Sequence, residues 1–164
     1  MARKCFYSFH YVPDNWRAST VRNIGKIEGN KPASDNDWET ITKGGETKIK
    51  SWIAEQMKGR TCTVVLAGSN TADRKWINYE IKKSWDDGMG VVVIFIHKLK
   101  NSDGEQSSKG NNPLYYVNDN SGKRLSTIAK AYDPPFETSK KVYDHIAENI
   151  EGWIEEAIKI RNEN

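Results

Sequence analysis

Glu80 follows Trp76 by four residues in the run Trp76-Ile77-Asn78-Tyr79-Glu80. That spacing is just over one helical turn, so a helix here sets the carboxylate one turn beyond the indole. A carboxylate beside an aromatic wall can stabilise a sugar cation, and Glu80 is the residue of this chain best suited to chemistry. The run comes after a short apolar strand and a polar turn, Val64-Val65-Leu66-Ala67-Gly68-Ser69-Asn70. In an open α/β sheet, ligands bind outside the carboxyl ends of the strands. The first strand delivers Ser8, Phe9, His10 and Tyr11 to such an end, and this one delivers Gly68, Ser69, Asn70 and Thr71. If the two strands are central neighbours, both groups share one crevice.

Helical phase places these residues further. Ile77, Ile81 and Trp85 fall at i, i+4 and i+8 and must face the sheet. Trp76 and Glu80 then lie on one stripe about 100° away, reachable from the crevice and partly desolvated. Burial would raise the Glu80 pKa, and a donor such as Asn70 or His10 would lower it. The sequence leaves that balance open. It also leaves open blander roles. Glu80 could be a solvated residue paired with Lys83 or Lys82, Trp76 a core residue, His10 a polar strand end, and Asp37-Trp38-Glu39 an ordinary loop or cap. His97 and His145 are too isolated to carry an argument. Metal-ligand spacing, a phosphate loop and Gly-x-Ser-x-Gly are all missing, so no metal is expected.

The elements that must position these residues alternate. Strands are expected at Cys5 to Phe9, Thr63 to Ala67 and Val91 to Ile96, the last a β-branched run suited to burial on both faces. A short strand is expected near Ile27 to Ala33, and a later one in Tyr115-Tyr116-Val117 or Leu125 to Ala129. After a loop from Tyr11 to Asn15, Val21, Ile24 and Ile27 mark a first helix. Ile49, Trp52, Ile53 and Met57 mark a second that Gly59 stops, and Gly88 closes the third. Val142, Ile146, Ile150, Trp153 and Ala157 define a long last helix capped by Thr138 or Ser139. Residues 98–112 read as a surface loop, and Asp119-Asn120-Ser121-Gly122 as a hairpin tip inserted before the last helix. Alternating strands and helices imply an α/β fold, a three-layer doubly wound parallel sheet.

With 164 residues, the chain fits one domain, 1–164, with one sizeable core. Its 25 basic and 22 acidic residues are scattered, which argues against a nucleic-acid partner. The longest apolar stretch, Val91 to Ile96, is too short for a bilayer, and the N-terminus enters a strand at once, so neither a membrane nor a signal peptide is expected. Cys5 and Cys62 lack paired spacing and read as reduced, buried thiols, which favours a cytoplasmic protein.

At these residues the chain resembles a known family. Lys4-Cys5-Phe6-Tyr7-Ser8-Phe9 resembles the opening strand of TIR domains. Ser69-Asn70 through Arg74-Lys75-Trp76-Ile77-Asn78-Tyr79-Glu80 resembles the TIR segment in which Trp precedes the catalytic Glu by four. Phe6-Tyr7-Ser8-Phe9-His10-Tyr11, Val21-Arg22-Asn23, Asp37-Trp38-Glu39 and residues 74–81 are similar, in order and spacing, to the TIR-like proteins of the bacterial Thoeris antiphage defence system. The match covers residues 4 to about 97. The TIR loop between second strand and second helix lacks its usual Pro and Gly pattern here.

The resemblance implies a flavodoxin-like, TIR-like fold and cleavage of the nicotinamide–ribose bond of NAD+, with NAD+ as substrate and no resident cofactor. It implies a cyclic ADP-ribose-type signal that activates a partner effector, a phage-derived trigger, and self-association. It makes Glu80 the catalytic residue. Phe6, Ser8, Phe9, His10, Asn23, Trp38, Asn70 and Trp76 become candidate substrate contacts. The competing expectation is a non-catalytic interaction module on the same fold.

Overall fold

Strand β1 (Lys4–Phe9) is followed by helix α1 (Tyr11–Arg22) and strand β2 (Glu28–Gly29). Helix α2 (Glu46–Met57), strand β3 (Cys62–Ala67), helix α3 (Lys75–Asp86) and strand β4 (Gly90–Phe95) come next. Two short 3-10 turns, Pro113–Tyr116 and Leu125–Thr127, precede strand β5 (Ala131–Tyr132) and the long helix α4 (Ser139–Asn162). The computed structural model describes residues 2–30 and 44–164. The expected contact Trp38 therefore lies outside the described residues.

The strands form one sheet of order β2-β1-β3-β4-β5, parallel at every pair. Parallel neighbours need crossovers, and the helices supply them. This is the flavodoxin-like strand order, and the chain reverses direction across the sheet between β1 and β3. Ser8 pairs with Val65 and Phe9 with Leu66 across that switch point. The expected three-layer α/β architecture is what the chain adopts.

Alternation along the strands sorts the core into two faces. Cys5 and Tyr7 of β1, Val64 and Leu66 of β3, and Val92 and Ile94 of β4 face α1 and α4. On the other face, Val65, Ala67, Val91 and Val93 meet Ile77, Ile81 and Trp85 of α3, together with Leu114 and Leu125 from the 3-10 turns. Phe6 joins that face beneath α2, against Ile49, Ile53 and Met57. The two thiols sit side by side as register partners, free and fully buried. Gly90 lets α4 cross close to the sheet, since a Cβ there would fall 2.8 Å from the Ile158 backbone nitrogen.

Local signals set most boundaries. Gly59 and Gly88 adopt positive φ just past α2 and α3, where only glycine does so without strain. Thr138 caps α4 by accepting from the Lys141 amide. Asn118 and Arg124 pair around the 119–122 turn as a one-bridge hairpin before α4.

Two expectations are corrected. The segment Tyr11 to Asn15 is not a loop but the first turns of α1, where Pro13 is tolerated because its missing N–H is one the helix would leave unpaired. Ile24 and Ile27 lie past the helix and pack on the α1–α4 face. Neither candidate for the late strand is one. Both regions are 3-10 turns that plug the α3 face with Leu114, Val117 and Leu125, and the strand is Ala131–Tyr132. Among the described residues no helix is long and apolar enough to cross a membrane.

Candidate active site

Ser8 lies near the carboxyl end of β1, on the face that meets α2 and α3. Its hydroxyl donates to Glu80 Oε1 across 2.9 Å. Glu80 is only 4% exposed, sharing the buried side of α3 with Ile77, Ile81, Ser84 and Trp85. The phase of α3 is fixed one turn further on. Ser84 Oγ donates to the Glu80 carbonyl at 2.7 Å and lies 2.6 Å from Thr63 Oγ1 of β3. This polar stitch holds the helix so that Glu80 projects over Ser8.

Glu80 is thus not the half-solvated flank residue that helical phase implied. It lies about 60° from Ile77, close enough to the core row to be covered completely. The bland pairing is also absent. Lys82 bonds Asp86 and Asn120, and Lys83 bonds Asp87. The donor that meets the carboxylate is Ser8 rather than Asn70 or His10. Burial pushes the Glu80 carboxyl up to about 8, and the bond from Ser8 pulls it down only in part.

Phe6 stands two residues below Ser8 on the same face and is fully buried. Trp76 and Tyr79 pack against that cluster, their rings edge to face at 5.5 Å. Phe6, Ser8, Trp76 and Glu80 therefore belong to one neighbourhood, between β1, α2 and α3. His10 follows at the end of β1. Its Nδ1 is buried without a partner among the described residues, and burial together with the charge of Arg74 holds its imidazole below the ordinary value. Arg74 precedes the first turn of α3, and neither it nor His10 caps its helix with its side chain. The first amides of α3 therefore have no cap from the Arg74 side chain.

The remaining candidates are set apart. Phe9 packs on the α1–α4 face of the sheet, stacked with Tyr11 at 6.0 Å. Asn23 ends α1, a 12-residue helix of ~18 Å, and so sits near the opposite edge of the sheet from His10. Asn70 is exposed on the turn after β3.

Two residues that sequence reasoning passed over shape the crevice. Asp14 and Arg17 are buried and paired at 3.0 Å. Arg17 also donates to the carbonyls of Leu99 and Glu105, at 2.7 and 2.8 Å, which folds the segment after β4 over the strand ends. Asp14 rests against Gly68, where a Cβ would fall 2.2 Å from its carboxylate oxygen. A Cβ on Gly110 would fall 2.6 Å from the Ser69 carbonyl oxygen. The signal was an Asp-x-x-Arg pair at i, i+3, legible only once the segment is read as helix. Beyond β4, His97 is buried, its Nδ1 without a partner among the described residues, and burial lowers its pKa.

Trp76 has a second surroundings. It lines a groove of about 390 Å³ on the outer side of α3, together with Lys50, Lys75, Tyr79, Lys82 and Tyr116. Glu80 points the other way, toward β1.

Comparison with known proteins shows the family of this chain. The family described as "Thoeris protein ThsB, TIR-like domain" matches residues 6–101, the stretch that carries β1, α3 and β4. The chain is also 34% identical over 122 residues to a Bacillus cereus (strain MSX-D12) protein named "Putative cyclic ADP-D-ribose synthase ThsB1". That alignment covers 71% of this chain and 64% of the relative, so the chain spans somewhat less than two thirds of the relative's length. With the family match covering more than half of the chain and the buried Ser8–Glu80 pair lying inside the matched stretch, the chain belongs to the ThsB TIR-like family of the Thoeris system.

Proposed function

We propose that this protein cleaves the glycosidic C–N bond of NAD+, releases nicotinamide and forms a cyclic ADP-ribose-type product. The observation that carries the reading is Glu80, a carboxyl held by Ser8 in an apolar neighbourhood built by Phe6 and Trp76. The name of the B. cereus relative supports the product class.

Nicotinamide leaves NAD+ as a neutral base, so the leaving group needs no proton. The ribose left behind gains oxocarbenium character, as in other glycosidic cleavages. A carboxylate in a low-dielectric setting stabilises that charge far better than one in water. In the closed site Glu80 holds its proton at neutral pH. The positive charge of the bound nicotinamide ring favours the ionised form and releases that proton as substrate enters. Arg74, His10 and the free amides of α3 suit the diphosphate, for they lie at the helix end where anions bind. For cyclisation, a group on the adenosine side must reach the anomeric carbon before water does, and an apolar wall that excludes water favours that outcome.

In this reading the product is a cytoplasmic signal sensed by an effector, and a phage-derived trigger or self-association opens the site. A second reading, a non-catalytic interaction module, is favoured by one observation. Glu80 is 4% exposed, so as folded here it offers substrate almost no surface.

Nicotinamide release from NAD+, with mass spectrometry of the products from phage-infected cells, separates the two. The enzyme reading expects release and a cyclic product, both lost in Glu80→Gln. If infected cells yield neither, and Glu80→Gln still protects against phage, the module reading stands.

A further inference from the structure

The groove outside α3 shares Trp76 with the Glu80 neighbourhood, but Phe6, Ser8 and Glu80 do not line it. It runs between the start of α2, the outer side of α3 and the 3-10 turn at Pro113–Tyr116. Its chemistry is consistent along its length. Lys50 Nζ lies 5.4 Å over the Tyr79 ring, and Lys75 Nζ lies 5.2 Å over the Trp76 ring. Lys82 stands one turn further along α3. Against these three ammonium groups the groove sets one carboxylate, Glu46, which pairs with Lys75, while Lys82 is held by Asp86 just outside. Among the described residues Lys50 has no carboxylate within ion-pair distance. Tyr116 adds a third aromatic ring, and Asn111 bonds its hydroxyl at 2.9 Å. Asn78 also lines the groove. Its amide nitrogen bonds Asp73.

We propose that this groove is a second site, which takes a phosphorylated nucleoside of mononucleotide size. Each feature answers to one part of such a ligand. The Lys50 ammonium, free of a close ion pair, meets phosphate, and an aromatic ring offers a face for the base. A volume of about 390 Å³ falls within the range of small-molecule sites, roughly 300–1,000 Å³. A phosphate alone would leave the rings unused, and a nucleoside alone would leave Lys50 unused. Because Glu80 points to the opposite side of α3, this site does not depend on the NAD+ reading.

AMP titrated into the full chain, followed by calorimetry and by aromatic fluorescence, tests the proposal. Saturable binding that weakens with salt is expected, with adenosine and inorganic phosphate each at least roughly tenfold weaker. Lys50→Glu and Tyr116→Ala, both at solvent-accessible positions, should each weaken AMP at least tenfold while melting like the parent. Lys50→Arg should restore binding, and Glu80→Gln should bind as the parent does. No saturation at millimolar AMP would overturn the proposal. So would affinity that survives both groove substitutions, or affinity that is lost in Glu80→Gln.

Discussion

Ser8 and Glu80 are joined by a single buried hydrogen bond, 2.9 Å long, between residues 72 positions apart. The bond links the strand at the sheet's switch point to the helix that carries the carboxylate. Among the described residues it is also the one side-chain contact that offsets the cost of burying Glu80, and it offsets that cost only in part.

Removing the charge should remove the chemistry. Glu80→Gln keeps the shape and can still accept from Ser8, but it cannot oppose a developing cation. Nicotinamide release should fall at least ~100-fold, about 3 kcal/mol of barrier. Single-turnover assays with saturating NAD+ read this directly, and an unchanged rate would remove Glu80 from the mechanism.

The working form is the carboxylate, so kcat/KM should rise with pH and level off above about 8, where free Glu80 ionises. Ser8→Ala removes the contact that lowers this pKa, and the midpoint should move upward. A pH profile of both proteins checks this. A midpoint that stays in place in Ser8→Ala would dissociate the hydroxyl from the ionisation.

The same ionisation shapes stability, with a definite sign. Folded Glu80 keeps its proton to about pH 8, whereas an unfolded glutamic acid loses it near 4.5. The stabilising contribution is therefore complete below 4.5 and is lost as pH rises through 8, by up to about 1.4 kcal/mol per pH unit between those values. Glu80→Gln has nothing to lose there. Urea denaturation at several pH values should show it gaining on the parent from pH 5 to pH 8, and parallel curves would contradict the burial.

Arg17→Met should be costly. It strands Asp14, buried and already pushed upward in pKa by that burial, and it frees the carbonyls of Leu99 and Glu105. The expected loss is about 3–5 kcal/mol. Adding Asp14→Asn should recover part of it, because the residual cost is then that of a neutral group. Equilibrium denaturation of the single and double substitutions measures both steps.

The strands most readable in the sequence were those with the most neighbours. β3 and β4 are covered on both faces, so their apolar runs are continuous. The helices were readable where one apolar stripe faced the sheet, as with Ile77, Ile81 and Trp85. Misreadings arose where short-range pattern was overruled by packing. The Tyr115–Val117 run has strand-like residues, yet it ends a 3-10 turn that packs Leu114 and Val117 on the α3 face and leaves both tyrosines exposed. β5 is two residues long and leaves no periodicity to detect. At the site, the family motif drew attention to Glu80 and Trp76. Helical phase alone could not tell a flank position from a covered one. The family resemblance also grouped Phe9 and Asn23 with the site, while strand alternation and the direction of α1 carry them away from it.

The partners of Arg17 carry a consequence for how the molecule is born. Leu99 and Glu105 lie 82 and 88 residues downstream. A ribosome adding about 5–20 residues per second needs several seconds to supply them. Until then the buried guanidinium has only Asp14 and the Pro13 carbonyl. The roof over the strand ends is thus a late event in synthesis, and a nascent chain halted at Ile96 would carry this arginine with two of its acceptors not yet made.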